Sequence, residues 1–320
     1  MPYWTRPQDH LGYSPWDDEI TMNEDYIISH YITELLEENS VNDDVALVTL
    51  KKADYIITSD AINENIHFFA SDPAKSIAYR LIMVNLSDIF AKGAHPLYLM
   101  LNLGFKSGLD KDWYEEFFDE IKHLKSSYNF KIIGGDTTLS TKNSFSATVI
   151  AESYSNMPKR SNAKLGDELY ITNVIGGSFL GCDAIKQSYM SKFINNYHYP
   201  KPTDTCIPLI KQYANGSTDS SDGLYSALEN ISTASNLGYE IDFLKIPFAS
   251  NVNLVNQFCL SDDYQVLFSS NPNNSDKIKD FSYKYNLNLS KIGKLTSKSK
   301  NILNIDTFDK SKIKKFFHQL

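Results

Sequence analysis

A chain of 320 residues is long enough to bury one large core or two medium ones without covalent staples. Hydrophobic residues make up 42% and charged residues 22%, the balance of a folded globular protein, which excludes wholesale disorder. The net charge of −8 leaves no basic footprint, which excludes a general nucleic-acid binder, so an enzyme of this composition acting on phosphates must import positive charge, most simply as metal ions.

Residues 1–22 are aromatic, Pro-containing and aperiodic, and read as an N-terminal extension. Thr21 and Glu24 have the spacing of a capping box, and Ile27/Ile28, Tyr31/Ile32 and Leu35/Leu36 recur every four residues as the buried stripe of a helix. Two β-rich runs, 45–50 and 55–58, follow as a paired set. A helix is expected over 74–92, closed by Gly93, then a strand over 97–105, a helix opened by Asp110, a short strand into IGGDTT, and a strand over 145–152. The polar, Pro158-containing segment 153–164 is the best boundary, which sets domains at 23–154 and 155–320. Beyond it the pattern restarts, with strands over 169–172, 239–243, 264–269 and 289–295. Helices are expected over 177–189, from about Thr203, and from Ser221 to near Gly238. Strands and helices alternate in both halves, so the pattern gives two α/β or α+β domains, and α+β is the fold class taken here.

No apolar run approaches the roughly 20 residues that cross a bilayer, and the first residues lack the n- and h-regions of a secretory signal. Cys182, Cys206 and Cys259 are far apart and odd in number, so they read as buried thiols of a reducing cytoplasm. P-loop, GxGxxG, protein-kinase, HExxH and GxSxG signatures are all absent.

Aspartates at the edges of elements stand out instead. Asp43–Asp44 precedes a strand, Ser59–Asp60 ends the next with His67 seven residues on, and Asp136 follows two glycines. Asp219, Ser221 and Asp222 open a helix. Asp88 lies on a polar stripe with Asn85 and Lys92 inside an otherwise apolar helix, where a carboxylate needs a partner. Each has a plainer alternative: turns for Asp43–Asp44 and Asp136, a solvated face for Asp88, an N-cap for Asp222. Brought together, such carboxylates repel one another unless a cation offsets them, and hard oxygen donors suit Mg²⁺ held with substrate phosphates. The residues alone thus reach a Mg²⁺–phosphate site without naming its reaction.

The segments NDDVALV (42–48), TSDAINENIHF (58–68), VNLSDIFAKGAHP (84–96), IGGDTT (133–138), KRSNAKLGDELYIT (159–172) and TDSSDGL (218–224), in this order, resemble the thiamine-monophosphate kinase family of the aminoimidazole ribonucleotide synthetase-like superfamily. The resemblance runs from about residue 24 onward. It implies ATP-dependent phosphorylation of thiamine monophosphate to thiamine diphosphate, by direct in-line transfer. It also implies a homodimer in which both N-terminal domains close a β-barrel, with neither nucleic acid nor membrane as partner. Position by position, it gives Asp44, Thr58, Ser59, Asp60, Asp88, Asp136, Asp219 and Asp222 to Mg²⁺, and Gly135, Asp136, Arg160 and Ser221 to ATP. His67 and Asp262 fall on the thiamine phosphate side, with Phe316 or its neighbour Phe317 as the aromatic against thiamine. Asp88, Asp136 and Arg160 would carry the catalysis. Where the family has Gly-Gly-Glu-Asp-Tyr this chain has Leu260-Ser261-Asp262-Asp263-Tyr264, so the acid is one methylene shorter; Gly-Asp-Asp has become Asn42-Asp43-Asp44. Two other readings compete. One is a related enzyme phosphorylating another acceptor at an amide or carbonyl oxygen. The other is a Mg–ATP-binding protein whose acceptor pocket has decayed around 260–262.

Overall fold

The computed structural model describes residues 30–31, 33–35, 54–298 and 302–303. The extension over 1–22, the strand over 45–50, Asp44, Phe316 and Phe317 lie outside the described residues. Of the first helix's stripe, Tyr31 and Leu35 are described and buried, and the Tyr31 ring stacks on Phe118 at 5.0 Å.

The first sheet holds β1 (Tyr55–Asn63), β2 (Pro96–Lys106), β3 (Lys131–Ser140) and β4 (Ser144–Glu152) in the order β1-β4-β2-β3. Pairs β1/β4 and β2/β4 are antiparallel and β2/β3 parallel. Among the described residues this sheet is open, with β1 and β3 at its edges, and no closed barrel is seen. Helix α1 (Ala74–Ala91) packs on β1 and β4, and α2 (Lys111–Tyr128) packs beside it as the crossover between β2 and β3. The strands alternate accordingly: Phe145, Ala147, Val149 and Ala151 of β4 and Leu99, Leu101, Leu103 and Phe105 of β2 are buried toward the helices. Asp110 opens α2 as expected, its carboxylate accepting from the Trp113 N–H at 2.8 Å, and Asn129 closes it in the left-handed region. Phe117 sits at the centre of this core, 5.0 Å from Phe145 and 5.1 Å from Trp113 between ring centroids. Phe117→Ala is expected to lower the unfolding free energy by about 3–5 kcal/mol in a denaturant titration, the cost of a large unfilled core cavity.

The second sheet holds β5 (Glu168–Thr172), β6 (Gly216–Asp219), β7 (Gly238–Ile241), β8 (Val266–Ser270), β9 (Leu289–Thr296) and β10 (Ile302–Leu303), in the order β10-β7-β9-β5-β8-β6. It is mixed, with β10/β7 parallel and the other pairs antiparallel. With it go α3 (Gly177–Lys186), α4 (Ile194–His198), α5 (Ile207–Tyr213), α6 (Gly223–Ser235), α7 (Leu254–Leu260) and α8 (Ser275–Lys284). The two halves share apolar ground around α1: Ile207 and Tyr264 join the first core, while Ala91 packs with Tyr170, Leu209 and Phe268.

Two expectations are corrected. β1 does not end at Ser59–Asp60 but runs to Asn63, because its pairing with β4 continues through Asn63↔Ser144. The IGGDTT segment is not a turn beyond a strand but lies inside β3. All three cysteines are free, and burial pushes the Cys182 thiol up to about 11 and the Cys259 thiol to about 12. Among the described residues no helix is long and apolar enough to cross a membrane.

Candidate functional site

The polar stripe of α1 is not a solvated face. Asn85 is fully buried, and its Oδ1 accepts from the Asp60 backbone N–H at 2.8 Å, which ties the middle of edge strand β1 to the helix. One turn on, Asp88 Oδ2 accepts from the Thr58 hydroxyl at 2.5 Å. A further turn on, Lys92 Nζ donates to the Ser217 carbonyl at 2.6 Å and to the Pro158 carbonyl at 3.3 Å. The stripe therefore crosses from β1 to the segment before Arg160 and to β6. Gly93 closes the helix at φ +66°, where an added Cβ would lie 2.7 Å from the Tyr154 hydroxyl oxygen.

β6 ends on Asp219, only 6% exposed, whose carboxylate accepts from the Ser87 hydroxyl at 2.5 Å. Burial, then the nearby Asp88 and Asp60 charges, push the Asp219 carboxyl up to about 7 against the opposing pull of Ser87 and Arg160. Burial and the Arg160 charge push the Lys92 ammonium down to about 8. Arg160 Nε donates to the Thr218 hydroxyl at 3.0 Å, so its guanidinium is anchored one residue from Asp219. His67 Nδ1 accepts from the Asn63 N–H at 3.0 Å, which leaves Nδ1 without a proton and assigns any N–H of the neutral ring to Nε2. Asp222 occupies the N-cap position of α6, as its plainer reading had it, but its side chain makes no capping hydrogen bond.

One cavity of about 350 Å³ is lined by Asp60, His67, Asp88, Arg160, Asp219, Ser221 and Asp222, seven of the residues singled out from the sequence, together with Val84 and Tyr264. Thr58 reaches it through Asp88. Ser59 does not: strand alternation turns it to the sheet's outer face, where it donates to the Ala147 carbonyl and accepts from Thr148. Asp136 is also on that face, in a second cavity of about 310 Å³ with Ala61, Asn102, Ser144 and Ser146. The register Ala61↔Ser146, Asn102↔Ser146, Asn102↔Asp136 puts it three strands from β1, on the order of 14 Å at ~4.8 Å per strand. Ala61 borders both cavities. Gly135 has a packing reason of its own: at φ +149° an added Cβ would fall 1.6 Å from the Leu101 carbonyl oxygen.

Asp262 does not line the cavity. Its Oδ2 pairs with Arg80 at 2.6 Å and its Oδ1 accepts from the Ser178 hydroxyl at 2.5 Å. Tyr264, two residues on, does line it and was not singled out; nor were Arg80, Ser87 and Lys92 given roles. Their signal lay in spacing: Arg80 and Val84 precede Asp88 by eight and four residues on the same helix face, and Lys92 follows by four.

The donor set fits a hard cation. Asp60, Asp88 and Asp219 face one cavity, and burial first, then the Asp88 and Asp60 charges, make an ionised Asp219 costly there without a cation. Among the described residues no three His, Cys, Asp or Glu side chains form a group that could hold a metal ion as they stand.

Comparison with known proteins identifies the family. The N-terminal domain of AIR synthase related proteins matches residues 42–152, and their C-terminal domain matches residues 200–306. A thiamine-monophosphate kinase from Haemophilus influenzae is 31% identical over 277 residues, covering 81% of this chain and 83% of the relative. One from Buchnera aphidicola subsp. Acyrthosiphon pisum is 29% identical, covering 81% and 85%. Among solved structures, thiamine-monophosphate kinase from Stenotrophomonas maltophilia superposes with a TM-score of 0.77 at 24% identity, over 85% of this chain and 93% of that one. A structure described as AaThiL complexed with AMPPCP and TMP gives 0.70 at 24% identity, over 87% and 94%.

Proposed function

The chain belongs to the thiamine-monophosphate kinase family, and on that premise we propose that it phosphorylates thiamine monophosphate with ATP, giving thiamine diphosphate and ADP. The observation that carries this reading is the convergence of seven motif residues from β1 and the turn after it, α1, β6 and the Arg160 and Ser221 segments on one cavity. Asp60, Asp88, Asp219 and Asp222, with the Thr58 hydroxyl beside Asp88, would hold Mg²⁺ there. Mg²⁺, when bound, would neutralise phosphate charge during transfer.

The protein's own groups divide the remaining work. Arg160, anchored by Thr218, directs its guanidinium at the triphosphate, and Ser221 donates to it. His67, with its N–H assigned to Nε2, donates toward the acceptor phosphate. That acceptor oxygen is already anionic near neutral pH, so no strong base is required. It bonds to the γ-phosphorus while the bridging oxygen of ATP leaves with ADP, and in-line positioning carries most of the rate. Gly135 and Asp136 would meet the nucleotide from the outer face of the first sheet, where a second copy would dock and complete a barrel. A reducing cytoplasm suits the three free thiols.

The test is formation of ADP and thiamine diphosphate from Mg–ATP, with and without thiamine monophosphate. Thiamine diphosphate only with both substrates supports the reading; nucleotide binding without product removes it. Arg160→Met is expected to lower kcat/KM for ATP by roughly 10²–10³-fold with an unchanged circular dichroism spectrum, because it deletes a guanidinium that stabilises transferring charge. Steady-state kinetics over ATP concentration checks this, and retained efficiency would dismiss the assignment.

A further inference from the structure

Arg80 is 3% exposed, and its guanidinium spans two segments of the other half of the chain. Nη1 pairs with Asp262 at 2.6 Å, Nη2 donates to the Tyr197 carbonyl, and the Cζ atom stands 4.7 Å over the Tyr197 ring. Each partner leads to a wall of the cavity. On the Asp262 side, three consecutive side chains fasten the segment to the start of α3. The Ser261 hydroxyl accepts from the Phe179 N–H at 3.0 Å, Asp262 accepts from the Ser178 hydroxyl, and Asp263 accepts from the Gly176 and Ser178 N–H groups at 2.6 and 3.0 Å. The next residue, Tyr264, is a buried aromatic at φ +55°, a conformation that bulky side chains rarely adopt and that persists only where its surroundings over-determine it. On the Tyr197 side, the Tyr197 hydroxyl donates to Asp72 at 2.8 Å, and Asp72 in turn accepts from the Phe69 N–H at 2.9 Å, two residues after His67. Tyr264 and His67 both line the cavity.

We propose that Arg80 is a positioning residue for the acceptor end of the cavity, holding the strained Tyr264 segment through Asp262 and the His67 segment through Tyr197. This rests on the reading of the chain as a thiamine-monophosphate kinase. It gives Asp262 a different task from substrate contact: both its oxygens are engaged within the protein, and it acts through Arg80. A lysine at this position keeps the charge but lacks the planar fork that reaches both partners.

The test uses the full-length protein with Arg80→Lys, Asp262→Asn and the double variant, read by amide hydrogen exchange and by steady-state kinetics in each substrate. Arg80→Lys is expected to speed exchange at Phe179, Tyr264 and Phe69. It is also expected to raise KM for thiamine monophosphate about tenfold or more with KM for ATP within about twofold. Asp262→Asn should speed exchange at Phe179 and Tyr264 and raise the same KM, and the double variant should be no worse than Arg80→Lys, because the pair acts as a unit. Unchanged exchange in folded Arg80→Lys overturns the inference. So does a rise in KM for ATP equal to that for thiamine monophosphate, or full additivity in the double variant. If the parent protein converts no thiamine monophosphate, the functional reading falls, and exchange still decides whether Arg80 holds the two segments.

Discussion

Asp219→Asn is expected to abolish turnover, by at least about 10³-fold in kcat, while the metal-free protein melts higher than the parent at pH 8. Both halves of this result come from one placement. Asp219 is buried, faces Asp88 and Asp60, and has its carboxyl raised from 3.8 to about 7. A raised carboxyl means the folded state holds the proton more tightly than the unfolded state. Its contribution is therefore neutral below about pH 4, turns unfavourable as pH rises from 4 to 7, and is fully unfavourable above 7. An amide of the same shape removes that penalty and keeps an acceptor for Ser87, so the melting temperature should rise by roughly 2–4 °C for each kcal/mol relieved. Mg²⁺ added at pH 8 should raise the melting temperature of the parent and much less that of Asp219→Asn, since a bound cation would offset the same buried charge. Asp88→Asn should lose turnover similarly. Scanning calorimetry with and without Mg²⁺ and a coupled ADP assay measure these quantities. Residual activity near the parent's, or a lower melting temperature for Asp219→Asn, would end the metal assignment.

Much of this site was legible because its residues sit in patterned elements. The apolar run around Asp88 declared a buried helix, and a carboxylate inside it required a partner; which partner was invisible, because Thr58 and Ser87 reach Asp88 and Asp219 only after folding. β6 escaped notice for a physical reason: Gly216, Ser217, Thr218 and Asp219 are all buried, so there is no alternation to read, and most are poor strand formers. Helices α4 and α7 are too short to show a period, and α8, though amphipathic, turns only Ile278 and Phe281 to the core. The shift of Asp136 away from the main cavity follows from continued strand pairing: once IGGDTT runs inside β3, period-two alternation sends Asp136 to the outer face with Ser59. Asp262 read as a shortened substrate contact because sequence gives no sight of Arg80, which lies 182 residues away.

Ile57→Asp is expected to break the proposed pairing of two copies, leaving single folded chains, and to cut turnover at least about tenfold. On the outer face of the first sheet, the register Ile57↔Ile150 and Tyr98↔Ile150 lays an apolar row across three strands. Ile57 is 67% exposed and Met100, in the row between it and Asp136, is 39% exposed. An apolar sheet face of this kind marks an interaction surface, and on a two-fold axis each residue is used twice. Burying such side chains contributes about 25 cal/mol per Å², whereas two uncompensated carboxylates in the same place cost several kcal/mol each. The substitution touches nothing in the core, so far-ultraviolet circular dichroism should be unchanged. Turnover should fall because, among the described residues, the main cavity and the Asp136 cavity share Ala61 alone, on a face that these residues leave exposed. A nucleotide spanning the two would need a second copy to wall it and exclude solvent during transfer. Sedimentation velocity and the ADP assay on the same samples decide the matter. An Ile57→Asp protein that stays dimeric, or a parent that sediments as a single chain at full activity, would remove the second copy from the mechanism and leave Asp136 without a place in it.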